Sequence, residues 1–600
     1  MTPSDSPAVP YLIEDPEAFA RNMLRLFEEG GRAMSQLIDR ADNKLSPYST
    51  ASEVAEATKS LGELYALWLQ DPAKFSEGQS ALMRSYAELW NNVMLRVMGE
   101  DVRPYAEPDP GDNRFKDPEW MTNPYFDFWK QAYLVTTRWA EGMLEETRFE
   151  DERQKQKMEY HIRQLTSAMS PSNFPMTNPE VVRETFSTNA ENLVKGMTNL
   201  VEDMTKSGDL LKISQTDLAA FEVGRNLATT PGKVVFQNRI FQLIQYAPST
   251  SEVHKLPLLI VPPWINKFYV LDLTPAKSFI KYAVDQGFTV FVVSWINPDE
   301  SLAETDFEDY MLEGVLQAIE AVKTETGEAA INALGYCVGG TLLAATLAYS
   351  AAIGDRSVQA VTFLTTQTDF TKAGDLLLFI DDAQLRNLEE MMAERGFLDG
   401  SRMANVFNMM RPKDLVWPYI VNNYLLGKKP FPFDLLYWNQ DSTRMPAANH
   451  RYYLREFYHE NRLAKGEMTL GGKRLDLRNI KIPVFSLATK DDHIAPAKSV
   501  FIGAQLFGGP VELVLAGSGH IAGVVNPPEK IKYQYWTAAT PNAPSLEEWV
   551  AGARENPGSW WPYWTEWLKT QSGEMVPART PGQTLTPIED APGSYVKVKG

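Results

Sequence analysis

The chain has one cysteine, Cys337, and only six histidines in 600 residues. A single thiol excludes an intramolecular disulfide framework and any metal cluster built on several cysteines, and it fits a reducing compartment. Lys and Arg do not cluster, and 58 basic against 77 acidic residues give a formal charge of −19. Nucleic-acid binding, which depends on a basic patch, is disfavoured. Long apolar runs are missing too. The most apolar stretches, Leu256 to Val261 and Thr341 to Ala352, fall far short of the roughly 20 residues that span a bilayer, so no transmembrane segment is expected. Asp5, Glu14, Asp15 and Glu17 precede any apolar run, the reverse of a secretory signal, and none is expected.

What is present is 44% apolar and 11% aromatic content, enough for a core and for apolar surface besides. The length predicts two domains. From Asp15 to about Leu211, apolar residues recur at helix spacing, as in Phe19, Met23, Leu24 and Phe27, so residues 1–215 are expected to form a helical N-terminal region. From Val234 the texture changes to short β-branched runs. Val234–Asn238 and Phe241–Ala247 read as a hairpin, followed by Leu256–Val261, Phe288–Trp295, Ala330–Tyr336, Val358–Leu364, Ile482–Ala488 and Val511–Ala516. Helical segments between several of these predict an α/β domain over 216–600 with a parallel sheet covered on both faces. The alternation stops between about 369 and 475, an insertion rich in Met, Trp, Tyr and Phe that reads as a lid. Residues 573–600, rich in Pro, Gly and Thr, read as a mobile or loosely docked tail.

Gly335-Tyr336-Cys337-Val338-Gly339 sits between a strand and a helix, the setting of a nucleophile elbow, where flanking glycines allow an abrupt turn that exposes the central side chain. The helix N-terminus favours thiolate over thiol. Cys337 is therefore the candidate nucleophile rather than a small core residue. An acid and a base are expected on loops after later strands, in that order. Asp492 follows the strand ending near Ala488, and His520 follows the one ending at Ala516. Asp491 is a second candidate acid, and His493 is the nearest rival to His520. His161, His254, His450 and His459 suit surface or packing roles, and no metal site is expected. An oxyanion needs backbone donors. Val338 is one, and the other falls to Trp264 or Ile265, because Pro262 and Pro263 have no N–H.

These motifs, with Pro262 to Leu273, Gly519 to Val524, Ser170 to Phe174, Asn226 to Val235, Tyr437 to Asp441 and Gly558 to Pro562, resemble the polyhydroxyalkanoate synthases over about residues 100–568. The resemblance implies an α/β-hydrolase-fold acyltransferase of class I, acting on (R)-3-hydroxyacyl-CoA, mainly the 3-hydroxybutyryl thioester. CoA thioester is then a substrate, and no cofactor is expected. It also implies a cytoplasmic, granule-associated homodimer. A cysteine thioesterase or polyester depolymerase of the same fold, and a catalytically silent granule-coating protein, are the competing readings. Two departures from the family pattern stand out: Gln367-Thr368 where a hydrophobic pair is usual, and Asp491 where Glu is usual.

Overall fold

The computed structural model describes residues 11–41, 50–207, 213–538 and 543–600. Residues 1–10, 42–49, 208–212 and 539–542, over which the expected domains also run, lie outside the described residues. The chain divides into two compact units, Met1–Asp217 with Phe407–Phe431, and Leu218–Val406 with Pro432–Gly600. The expected lid is thus split, because its middle folds with the helical unit.

In the helical unit the long helices are α1 (Pro16–Ala41), α2 (Thr50–Gln70), α3 (Pro72–Val97), α4 (Pro124–Glu145), α5 (Glu152–Ala168), α6 (Pro179–Ser187) and α7 (Glu191–Ser207). Three of them start at an Asx-Pro pair. Asp71, Asn123 and Asn178 each accept from first-turn amides while the following proline fills a position whose N–H has no intrahelical partner. Leu89, Val93, Phe115, Trp120, Phe126 and Leu134 form a core between α3, α4 and the loop that joins them. Residues 407–431 are tied in by Gln164, whose amide donates to Met409 O at 2.7 Å, and by Tyr424, whose hydroxyl donates to Asp203 at 2.8 Å. No helix among the described residues is long and apolar enough to cross a membrane.

The other unit is built on an eleven-stranded sheet. Its strands are β1 (Gly232–Gln237), β2 (Phe241–Tyr246), β3 (Leu258–Val261), β4 (Val290–Trp295), β5 (Ile331–Tyr336), β6 (Val358–Leu364), β7 (Val484–Thr489), β8 (Val511–Ala516), β9 (Gln534–Thr537), β10 (Arg554–Pro557) and β11 (Glu589–Asp590). The order is β10-β9-β8-β7-β6-β5-β3-β4-β2-β1-β11. The strands from β8 to β4 are parallel, and both flanks are antiparallel. Central strands such as β3, β4, β5 and β7 are buried at every position, which explains their continuous apolar runs. With its helical coverage this is the α/β-hydrolase fold, as expected.

The register of the sheet positions the site. Val261 lies beside Gly335 across β3 and β5, so the turns after these strands emerge together. Thr489 lies beside Ala516 across β7 and β8, which brings the loops of Asp492 and His520 into contact. Both pairs lie at the carboxyl ends of parallel strands, where open α/β sheets place their ligands.

Residues 573–600 differ from expectation. Met575–Pro577 pairs with Glu252–His254, and β11 extends the main sheet beyond β1. The Glu325 carboxylate accepts from the backbone N–H groups of Gly582, Gln583, Thr584 and Leu585. A Pro- and Gly-rich segment with no apolar period can still dock when a buried anion satisfies its amides.

Candidate active site

Cys337 stands between β5 and the helix α8 (Val338–Ile353), with φ 53° and ψ −129°. L residues rarely adopt a positive φ, and such strain persists only where its surroundings hold it. The glycines of the motif explain how. A Cβ on Gly339 would collide with the carbonyls of Val261 and Pro262, and one on Gly335 with the backbone of Gly340. The turn after β3 therefore lies hard against the elbow. The Cys337 N–H donates to Leu364 O on β6 at 2.9 Å, tying the turn to the sheet.

His520 Nδ1 and Asp492 Oδ2 are 2.7 Å apart. The ring of His520 stacks at 5.6 Å on Tyr336, the residue before Cys337. Burial alone would lower the His520 pKa, but the negative charges of Asp492 and of a Cys337 thiolate outweigh it and push it up to about 10. Burial would likewise raise Asp492. The charge of His520, its hydrogen bond and the amides of Ala495 and Ile494 hold it below the usual carboxylate range instead. Asp492 Oδ1 accepts from Ile494 N–H at 2.9 Å and Ala495 N–H at 2.8 Å, and Oδ2 accepts from the Thr489 hydroxyl at 2.9 Å. Asp491 is exposed, and its backbone N–H donates to Ser518 O. The geometry thus pairs His520 with the buried Asp492 beside the elbow, whereas the Asp491 side chain is exposed.

The remaining histidines are elsewhere. His254 stacks on Phe288, His161 is buried in the helical unit, His459 is within 3.8 Å of Asp382, and His450 is fully buried, its pKa lowered to about 4 by desolvation.

Among the described residues none accepts from the backbone N–H of Val338, Trp264 or Ile265. All three are buried, so each is a donor without a protein partner, and the choice between Trp264 and Ile265 stays open on that count.

The aromatics of residues 369–475 are divided between the two units. Trp417, Tyr419, Tyr424 and Phe431 belong to the helical unit. Tyr437 and Trp438 are buried in the core of the catalytic unit, and Phe433 lies under the Lys277 ammonium. Tyr336 stacks on His520 at 5.6 Å, and the buried Tyr453 packs on Trp264 and on Tyr458. The last two phenols are raised chiefly by burial, with a further contribution from the negative charge at Cys337. Trp560 and Trp561 brace the histidine loop. Their indole N–H groups donate to Gly523 O and Val524 O, both at 2.9 Å. Only the in-order pairing of two motifs, 519–524 and 558–562, hinted at this. Gln367, at the first departure from the family pattern, is buried and donates to Ser499 Oγ at 3.0 Å, securing the root of the insertion.

The family described as "Poly-beta-hydroxybutyrate polymerase (PhaC) N-terminus" matches residues 111–283, and "alpha/beta hydrolase fold" matches residues 257–527. The poly(3-hydroxyalkanoate) polymerase subunit PhaC of Rhizobium meliloti is 52% identical over 98% of this chain and 96% of its own. The poly(3-hydroxyalkanoate) polymerase of Methylorubrum extorquens is 52% identical over the whole of both chains. The corresponding subunit from Cupriavidus necator is 42% identical over 88% of this chain and 89% of its own. The strained cysteine elbow, the loops that meet beside it and these full-length relatives lead to one conclusion: the chain belongs to the poly(3-hydroxyalkanoate) polymerase family.

Proposed function

We propose that the chain is a class I acyltransferase that polymerises (R)-3-hydroxyacyl-CoA, with 3-hydroxybutyryl-CoA as its main substrate, through a thioester on Cys337. The observation that carries this reading is Cys337 at a strained elbow whose Tyr336 stacks on the His520 ring hydrogen-bonded to Asp492, in a chain whose full-length relatives are named polymerases.

His520 takes the proton of the Cys337 thiol. The Cys337 thiolate attacks the acyl carbonyl of the CoA thioester, and the oxyanion is taken by the N–H of Val338 and that of Trp264 or Ile265. As the intermediate collapses, the departing CoA thiolate takes the proton from His520. With that proton gone to CoA, the imidazole stays held through Nδ1 by Asp492. His520 is then neutral and able to accept the proton of a 3-hydroxyl group. That oxygen attacks the Cys337 thioester, an ester forms, the cysteine leaves as thiolate and the ion pair is restored. A thioester passed to a thiol keeps its driving force, which suits cysteine over serine. Water is the competing nucleophile, and Cys337 packs against a buried apolar cluster that includes Tyr336.

Cytoplasmic residence at the surface of the polyester, and self-association as a dimer, belong to the same reading. Met83, Trp90 and Val97 lie exposed at seven-residue spacing on α3 and offer an apolar face. Purified chain and its Cys337→Ala variant, each mixed with (R)-3-hydroxybutyryl-CoA, are assayed for free CoA and for acyl product. Polymer from the unsubstituted chain alone is the expected result. Stoichiometric free acid replaces the reading with a thioesterase, and CoA release by neither chain favours a coating protein.

A further inference from the structure

The turn after β3 carries the candidate oxyanion donors, yet much of what holds it comes from residues 438–443, some 170 positions later in the chain. The Trp438 indole donates to Lys267 O at 2.7 Å. Lys267 and Asp441 form an ion pair at 2.7 Å with almost no exposed side-chain surface, and Tyr269 donates to the same carboxylate at 2.8 Å. Asn266 bridges Ser442 in antiparallel fashion. The Thr443 hydroxyl, itself buried, lies 2.8 Å from Trp264 O and 2.5 Å from Ile265 O.

This last contact has a directional consequence. In a trans peptide the carbonyl and the N–H point to opposite sides of the chain. The grip of Thr443 on Trp264 O therefore fixes the Ile265 N–H on the side away from Thr443. That N–H has no acceptor among the described residues, and the segment just before it abuts the elbow at Gly339. The Trp264 N–H belongs to the peptide of the Pro263 carbonyl, on which Thr443 has no hold.

We infer that Thr443 is a positioning residue for acyl transfer: by holding the Trp264 and Ile265 carbonyls it aims the Ile265 N–H as the second oxyanion donor. The inference rests on the acyl-transfer reading above and narrows it from two candidate donors to one. Preorganised donors act only if they need not reorient as charge develops. The hydroxyl of Thr443 contributes that fixity without touching substrate.

Thr443→Val keeps the side-chain shape and removes the hydroxyl, while Thr443→Ser keeps the hydroxyl. For each, kcat and KM are measured by CoA release from (R)-3-hydroxybutyryl-CoA, together with the rate at which iodoacetamide alkylates Cys337. Alkylation uses the thiolate but forms no oxyanion. The expected result for Thr443→Val is a kcat lowered between about 10- and 100-fold, with KM within about twofold and alkylation unchanged, and recovery of most of the kcat in Thr443→Ser. An unchanged kcat in Thr443→Val overturns the inference. So does a parallel loss of alkylation in that variant, which marks general distortion, and so does failure of Thr443→Ser to recover. If the unsubstituted chain itself releases no CoA, the acyl-transfer reading fails first and takes this inference with it.

Discussion

The Nδ1 of His520 lies 2.7 Å from Oδ2 of Asp492, a carboxylate with no exposed side-chain surface. Both oxygens of that carboxylate are occupied, Oδ1 by two amides and Oδ2 by the Thr489 hydroxyl and His520. A group so enclosed is suited to orient and charge an imidazole, and poorly suited to receive a proton from an incoming hydroxyl.

Asp492→Asn is accordingly expected to slow the first acyl transfer as well as chain growth, lowering kcat by about 10²–10⁴-fold. Rapid-mixing measurement of the first CoA released checks this. A variant that acylates at the normal rate but fails to elongate places Asp492 on the hydroxyl instead.

The His520 pKa, raised to about 10 against an ordinary 6.5, predicts an imidazolium that persists through neutral and mildly alkaline pH and is lost only as pH rises through that value. A pH titration of the His520 ring followed by NMR should find its midpoint well above 6.5, and Asp492→Asn should bring it down. A midpoint at or below 6.5 in the unsubstituted chain contradicts the pairing. Pairing of His520 with Asp492 also stabilises the fold below the imidazole's raised pKa, and it is lost at the acid end as pH falls through the depressed pKa of Asp492.

Trp560→Phe and Trp561→Phe each retain a ring but leave a buried carbonyl, Gly523 O or Val524 O, without its indole donor. Each should cost about 1–3 kcal/mol of stability and lower kcat through the His520 loop. Denaturant titration and CoA release measure the two effects. Full activity in both variants removes the bracing role.

Much of this site was legible in the sequence because its parts are local. The elbow needs its glycines within a few residues of Cys337, and Asp492 and His520 each follow a strongly apolar strand directly. Sequence position ranked Asp492 ahead of Asp491 without excluding Asp491, since exclusion depends on which side chain turns inward when Thr489 and Ala516 align across β7 and β8. Edge strands escaped for a similar reason. Arg554–Pro557 is charged and ends in proline, and its strand character comes from pairing with Gln534–Thr537. The reassignment of Phe407–Phe431 to the helical unit rests on bonds such as Tyr424 to Asp203, which no periodicity announces.

Docking of the C-terminal segment offers a separate test. Glu325→Ala leaves the amides of 582–585 without their shared acceptor. It should cost about 2–3 kcal/mol and speed hydrogen exchange across residues 578–600, with CoA release per folded molecule unchanged. Exchange rates equal to those of the unsubstituted chain contradict the anchoring role.

The central claim, covalent catalysis by Cys337, is tested most directly by quenching the reaction with (R)-3-hydroxybutyryl-CoA within milliseconds and weighing the peptide that contains Cys337. The account predicts a thioester-linked mass increment of one or more hydroxybutyryl units on that peptide, removed by hydroxylamine and formed as fast as the first CoA appears. Polymer made at the normal rate by a chain whose Cys337 is never acylated, or by Cys337→Ala, contradicts it.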